Sequence, residues 1–400
     1  MDWVLASDPK ERDQWIMWMS GGAGGGKSAI AQTFAERCEV EGYLLASFFF
    51  GRSDPSRNNI KSLIATIAYQ IYSNVPGTRK HMISTIENDP LIFGRTVLVQ
   101  LVSLVIEPLQ ELADEISQRL VIIDGLDECL DRKSQTVLLE TIFQTIQKYR
   151  CRIRWLVISR PEHEIINTFS FKNIGIPVAK VVLDDNYQPD SDIELFFRDE
   201  IHNIKETHPF RTRLAASWPA DPIILEIVKK SSGQFIYVST LIKYIKSLRH
   251  RPDHRLEIVR NIRPRQSKAD MPFAELDALY AHILTSIEDI SMAIQVLSFC
   301  IYESLSLSHI WGLRTSVTAI EEINDLEPGS LSILLCDLGA LVIIEDYELK
   351  GKQEETIKIL HASLPDFLLD EARSKDLHIE ANSEIKKHIA NCFRFLSSNV

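Results

Sequence analysis

Trp15-Ile16-Met17-Trp18-Met19-Ser20-Gly21-Gly22-Ala23-Gly24-Gly25-Gly26-Lys27-Ser28 is an apolar run that passes into glycines and then opens a helix. Gly21 and Gly26-Lys27-Ser28 satisfy G-x-x-x-x-G-K-[ST], the spacing of a phosphate-binding loop. Glycines let successive backbone N–H groups turn inward around a phosphate. The positive end of the following helix adds to the attraction. Lys27 supplies a point charge for β- and γ-phosphates, and the Ser28 hydroxyl a magnesium ligand. The competing reading is a flexible glycine-rich turn. The strand before the loop, and the helical spacing of Ile30, Phe34 and Ala35 after it, select the phosphate loop. Gly21, Gly22, Ala23, Gly24, Gly25, Gly26, Lys27 and Ser28 are therefore the predicted phosphate cradle.

Leu120-Val121-Ile122-Ile123-Asp124-Gly125-Leu126-Asp127-Glu128 is the second signal. A buried strand ending in a carboxylate places Asp124 at the C-terminal edge of a parallel sheet, beside the P-loop, where it can hold magnesium with Ser28. Asp127 and Glu128 follow, and either can polarise an attacking water. A solvated acidic turn is the bland alternative, and the P-loop upstream weighs against it. Arg154-Trp155-Leu156-Val157-Ile158-Ser159-Arg160 is a third strand ending in a cation at the same edge. Arg160 is either a contact to the γ-phosphate or a surface residue at a strand end. Arg52 and Arg57 follow the second strand; either is a weaker candidate for a phosphate contact, and a solvated loop is the favoured reading. Gln266-Ser267-Lys268-Ala269-Asp270 resembles a guanine-reading motif by chance, since no strand precedes it. No Ser/His/Asp or Cys/His hydrolase set stands out.

The chain has 400 residues, 45% hydrophobic and 25% charged, with a formal net charge of −11. That balance weighs against a polyanion-binding surface. Six cysteines form no C-x-x-C pair, which fits free thiols in a reducing compartment. The first residues show no basic segment leading into a long apolar run, and no stretch reaches 18 apolar residues. The expectation is a cytoplasmic protein with no membrane and no nucleic acid among its partners.

The apolar strand that runs from Trp15 into the glycine loop and strands at 43–50, 119–124, 154–159 and 180–183 alternate with helical patterns at 59–72, 96–112 and 133–149. This predicts an α/β domain over 1–185 with a largely parallel sheet. Residues 184–192 read as a linker. Residues 186–264 read as a helical domain, followed by a second linker at 263–268. Residues 265–400 carry helices at 273–287, 292–301, 318–326 and 330–338. A hairpin of 341–346 and 356–360 around Lys350-Gly351 follows, then helices at 364–373 and 383–397, an order that suits a winged helix.

Gly-Gly-Ala-Gly-Gly-Gly-Lys-Ser at 21–28, Ser47-Phe48-Phe49-Phe50-Gly51-Arg52, Asp124-Gly125-Leu126-Asp127-Glu128, Ser159-Arg160-Pro161 and His361-Ala362-Ser363-Leu364-Pro365-Asp366-Phe367-Leu368 together resemble the NACHT domains of fungal STAND NTPases. These are related to the nephrocystin-like N-terminal region. The resemblance covers nearly the whole chain and implies an ASCE/STAND-type P-loop sheet, a helical domain and a winged helix. It implies an ATP/ADP-operated switch with Mg2+, whose slow hydrolysis accompanies opening and self-association or engagement of an effector-bearing partner. A nucleotide-binding module that no longer cycles is the alternative, and a metabolic kinase is disfavoured because residues 190–400 offer no substrate lid. By the resemblance Lys27, Ser28 and Asp124 match the phosphate and magnesium ligands, Asp127 and Glu128 the catalytic acidic pair, and Arg160 the first sensor. His361 matches the winged-helix histidine that holds the ADP β-phosphate, with Ala362 where the family has aspartate. Phe235 stands where relatives often carry a proline against the base, and Gly22 where many carry proline. With about twenty residues before the P-loop, the resemblance implies a bare switch core, either a stand-alone truncated member or an incomplete gene product.

Lys27→Ala removes a charge aimed at phosphates and little core. It should abolish ATP binding in calorimetry while leaving the circular dichroism of the chain unchanged; an unaltered affinity would overturn the cradle.

Overall fold

The computed structural model describes residues 1–5, 8–52, 54–112, 119–149, 153–170, 175–183, 189–264, 273–302, 316–349 and 352–398. The expected linker residues 184–188, the second linker from 265 onward with the 266–270 stretch, and the hairpin tip Lys350-Gly351 lie outside the described residues. The chain divides into two compact units, Met1–Asp184 and Asp185–Val400.

In the first unit, strands β1 (Ile16–Gly21), β2 (Leu44–Phe49), β3 (Arg119–Asp124), β4 (Ile153–Ser159) and β5 (Val178–Leu183) form one sheet. Their order is β2-β3-β4-β1-β5, and every neighbouring pair is parallel. Parallel neighbours need crossovers, and helices carry them here. α1 (Asp2–Leu5) precedes β1, and the connections hold α2 (Lys27–Val40), α3 (Leu63–Asn74), α4 (Arg79–Asn88), α5 (Val97–Leu101), α6 (Glu107–Gln110), α7 (Arg132–Tyr149) and α8 (His163–Ser170). The expected parallel α/β sheet of a P-loop protein is thus what the chain forms. β4 lies between the P-loop strand and the acidic strand.

Central β4 is buried along its whole length. Its alternate residues serve two cores: Ile153, Trp155 and Val157 pack with Trp18, Phe48 and Phe143, while Leu156 and Ile158 pack with Trp3, Val4, Ala31 and Ala35. Arg154 is the exception on this strand, only 2% exposed. Its Nη1 donates to the carbonyls of Gln14 (2.6 Å) and Glu11 (3.1 Å), and its Nη2 to Glu11 again (3.1 Å). The guanidinium lies 5.1 Å from the Trp3 ring and 5.3 Å from the Trp15 ring. The N-terminal segment is thereby fastened to the start of β4, and Trp3 Nε1 closes the fold-back on Gln14 O at 2.9 Å.

Three helical expectations shift for local reasons. The helix expected at 59–72 begins at Leu63, because Asn59 Oδ1 accepts the Lys61 N–H in a side-chain turn that replaces the first helical turn. The helix expected at 96–112 is α5, a wide turn at Val102–Ile106, and α6. Pro108 has no N–H for the carbonyl four residues back, and the wide i→i+5 bonding, with Glu107 N–H on Val102 O, accommodates it. The helix expected at 364–373 breaks at Asp370, whose carboxylate caps a new turn through the N–H groups of Ala372 and Arg373.

The second unit is helical apart from one hairpin. Its helices are α9 (Pro189–Thr207), α10 (Asp221–Ser231), α11 (Phe235–Ile245), α12 (Pro252–Asn261), α13 (Ala274–Thr285), α14 (Ile290–Tyr302), α15 (Val317–Ile323) and α16 (Ser330–Cys336). Antiparallel β6 (Val342–Leu349) and β7 (Lys352–Ile359) follow, then α17 (Ser363–Leu368), α18 (Glu371–Ser374) and α19 (Ala381–Ser398). One apolar core runs from Ile193 to Ile379, so the expected division at 264/265 falls inside a shared core. Lys230 Nζ reinforces the C-terminal end of α12, donating to Arg260 O at 2.9 Å and Ile262 O at 3.3 Å. Arg373 forks onto Asp277 at 2.7 and 3.0 Å. No single described helix is long and apolar enough to cross a membrane.

Arg154→Met should destabilise the first unit by about 2–4 kcal/mol, through lost charge-assisted hydrogen bonds to the Glu11 and Gln14 carbonyls and lost cation–π contacts. Urea unfolding followed by tryptophan fluorescence reads chiefly this unit, since four of the six tryptophans, Trp3, Trp15, Trp18 and Trp155, lie in it. An unmoved midpoint would show that the cation does not hold the segment.

Candidate functional site

β3 and β4 each end in a polar residue, Asp124 and Ser159, at the C-terminal edge of the sheet. There β1 opens into the glycine loop. Gly24 (φ 75°) and Gly26 (φ 79°) adopt the left-handed conformation, and Gly26 caps α2. At Gly21 a Cβ would stand 3.0 Å from the Leu183 Cβ, so the close approach of β5 also requires glycine. At Gly22 a Cβ would meet nothing within 4 Å, so space does not demand glycine there. Lys27, the first residue of α2, folds back over the loop. Its Nζ donates to Gly21 O at 2.9 Å and Gly22 O at 2.8 Å. Burial pulls the Lys27 ammonium below its ordinary value, and the nearby Asp127 carboxylate opposes the shift.

Asp124 is 3% exposed and hydrogen-bonds the Ser28 side chain. Its Oδ1 is buried with no partner. Burial pushes this carboxyl above the ordinary carboxylate range, the Ser28 hydroxyl pulls it down, and Asp127 pushes it up. A serine hydroxyl and an orphaned carboxylate oxygen are the hard oxygen donors a divalent cation takes, so the pair fits magnesium.

Gly125 (φ 70°) turns the chain so that Asp127 and Glu128 face β4 and the loop after β2. Asp127 binds Arg160 twice: its Oδ1 accepts the main-chain N–H at 2.9 Å, and its Oδ2 pairs with Nε at 3.2 Å. The ion pair is shielded, with Asp127 5% and Arg160 22% exposed at the side chain. Glu128 Oε2 accepts the Arg52 N–H at 3.0 Å. Burial raises the Glu128 carboxyl, and this N–H moderates the rise. The expected residues 21–28, Asp124, Asp127, Glu128 and Arg160 therefore converge on one edge.

Two residues outside the expected set also contribute; in the sequence Arg52 is a weaker candidate and Glu162 goes unmarked. Arg52, read there as a solvated loop residue, orients Glu128 through its backbone. Glu162 has a raised carboxyl, through burial first and the Asp127 charge second, with Arg132, Arg52 and Arg160 opposing. Its signal was its position, two residues past a strand end that already carried Arg160. His361 belongs to the second unit, where its Nδ1 accepts the Ser363 N–H at 3.1 Å.

Residues 2–160 match the family model for the N-terminal region of nephrocystin 3. The matched stretch begins before β1 and ends at Arg160, so it includes residues 21–28, Asp124, Asp127, Glu128 and Arg160. No curated protein matches the chain. Among solved structures, the Drosophila ORC bound to DNA is similar at 11% identity, covering 92% of this chain and 91% of that one, with a TM-score of 0.40. A Walker-type ATPase of Pyrococcus abyssi is similar at 12% identity over 90% and 91%, TM-score 0.42. Cdc6p of Pyrobaculum aerophilum is similar at 15% identity over 90% and 87%, TM-score 0.38. Likenesses this slight carry no weight for function; the P-loop fold rests on the sheet and loop themselves.

Asp124→Asn keeps an acceptor for Ser28 and removes a buried charge. Without nucleotide it should stabilise the chain at neutral pH by about 1–3 kcal/mol, the scale of one buried group's desolvation. The sign follows from the raised carboxyl: the wild type is penalised where Asp124 is ionised. The gain should be full above its folded value and vanish as pH falls to the unfolded carboxylate range near ~4. Thermal melts across pH 4–8 read it, and a loss of stability at every pH would overturn the electrostatic reading.

Proposed function

We propose that the chain is a nucleotide-operated switch that binds ATP and ADP with magnesium in its first unit and hydrolyses ATP slowly. The observation that carries this is Asp124 Oδ1, buried and unpartnered beside the Ser28 hydroxyl at the mouth of a P-loop. Such an atom has its use when a cation and a phosphate chain are present. Ser28 and Asp124 would hold the magnesium, whose chemistry there is to neutralise phosphate charge. Backbone N–H groups of residues 22–27 cradle the phosphates, and Lys27 exchanges its two loop carbonyls for phosphate oxygens. Glu128, oriented by Arg52, takes a proton from water as the water oxygen bonds the γ-phosphorus and the bond to the ADP oxygen breaks. Its raised carboxyl makes it a stronger base than a solvated glutamate. Asp127 holds Arg160 in place for the γ-phosphate rather than acting on water itself.

On this reading ADP favours a closed state in which His361 contributes to holding the β-phosphate, and ATP favours an open, self-associating or partner-binding state. A protein partner is favoured over nucleic acid by the charge of −11 and by Glu345, Asp346, Glu354 and Glu355 on the hairpin. The tight Asp127–Arg160 pair also supports the second reading, a module that holds nucleotide without cycling, and turnover separates the two.

Glu128→Gln should retain ATP affinity within about twofold and lose about a hundredfold or more in turnover. Phosphate release by the purified chain, wild type against variant, is the measurement. Equal turnover in both would remove Glu128 from the chemistry, and none in the wild type would favour the non-cycling module.

A further inference from the structure

Within the second unit a line of polar side chains crosses an otherwise apolar core. Thr240 on α11, Tyr280 on α13 and Ser363 at the start of α17 are 3%, 1% and 1% exposed. Tyr280 hydrogen-bonds the Thr240 side chain, and its hydroxyl lies 2.8 Å from Ser363 Oγ. Ser363 Oγ in turn lies 2.7 Å from His361 Nδ1, which also accepts the Ser363 backbone N–H at 3.1 Å. Burial pushes the tyrosine up to about 12, so its hydroxyl keeps its proton.

The direction of every bond follows from one of them. A backbone N–H can only donate, so His361 Nδ1 is an acceptor and bears no proton. The Ser363 hydroxyl, at hydrogen-bond distance from an unprotonated nitrogen, must donate to it. With its proton committed, Ser363 Oγ accepts from Tyr280, and Tyr280 accepts from Thr240. Three hydroxyls thus point their protons the same way, an arrangement in which each bond polarises the next. The proton of the neutral imidazole is left on Nε2.

We infer that Tyr280 and Ser363 are positioning residues for His361, holding its ring in one orientation and in the Nε2–H tautomer that donates to an anionic oxygen. The inference rests on the reading of His361 as a β-phosphate contact. A structural turn alone would need only the Ser363 N–H; it would not need a tyrosine hydroxyl from another helix. Because the line starts on α11 and ends beyond β7, a shift of either element breaks the donor sequence and releases the ring.

Nitrogen NMR of the full chain labelled at histidine tests this, with His361→Ala identifying the signals among the eleven histidines. Wild-type His361 should show an unprotonated Nδ1 and a protonated Nε2. Tyr280→Phe, which keeps the packed ring, and Ser363→Ala should both populate the other tautomer. They should also speed release of a fluorescent ADP by about three- to tenfold, the worth of one net hydrogen bond. A wild-type ring protonated at Nδ1, or variants with the wild-type tautomer, would overturn the relay. A shifted tautomer with wild-type release, when His361→Ala accelerates it, would overturn the positioning role. Wild-type release in His361→Ala would instead overturn the phosphate contact, with the tautomer still deciding the relay.

Discussion

Asp127 grips Arg160 through a main-chain N–H at 2.9 Å and through Nε at 3.2 Å, and this pair joins the segment after β3 to the end of β4. The arrangement of the first unit depends on it. β4 separates the acidic strand from the P-loop strand, so the two halves of the site meet only if β4's terminus is held in register with both. Asp127 secures one side. On the other, Trp18 Nε1 of β1 donates to Ser159 Oγ at 2.9 Å, the residue before Arg160. The C-terminal end of the inserted strand is thus tied on both sides by polar bonds, and the apolar pairs before it need only fill space.

The same geometry carries an energetic cost. Asp124, Glu128 and Glu162 are all pushed toward their neutral forms by burial, and Lys27 toward its own. Four shifts of one cause at one edge mean that the unliganded fold holds charges it would be more stable without. Sites of this kind trade stability for readiness, because the ligand supplies the missing charge and hydrogen bonds.

Much of this was legible in the sequence because it depends on local rules. The glycine spacing, the strand ending in Asp124 and the strand ending in Arg160 each follow from residue type and short periodicity. What stayed hidden depends on partners distant in sequence. The order of strands cannot be read from their composition, so the placement of β4 comes from the structure alone. Arg52 was read as solvated because its contribution is a backbone N–H, which any residue type provides. The wide turn at Val102–Ile106 was hidden because its apolar residues suit a regular helix, and only Pro108 hinted otherwise. Arg154 looked like the ordinary polar start of a strand, whereas Trp3 and Trp15, well over a hundred residues earlier, make it interior.

That last cluster constrains how the chain can vary. Arg154 lost alone removes its charge-assisted hydrogen bonds to the Glu11 and Gln14 carbonyls; either tryptophan lost alone leaves a buried guanidinium short of a face to rest on. Each single change is therefore penalised while a concerted replacement by apolar residues is not, which is epistasis in its physical form. Positions 3, 15 and 154 should covary among homologues, and lineages that have lost the arginine should have lost at least one of the tryptophans with it.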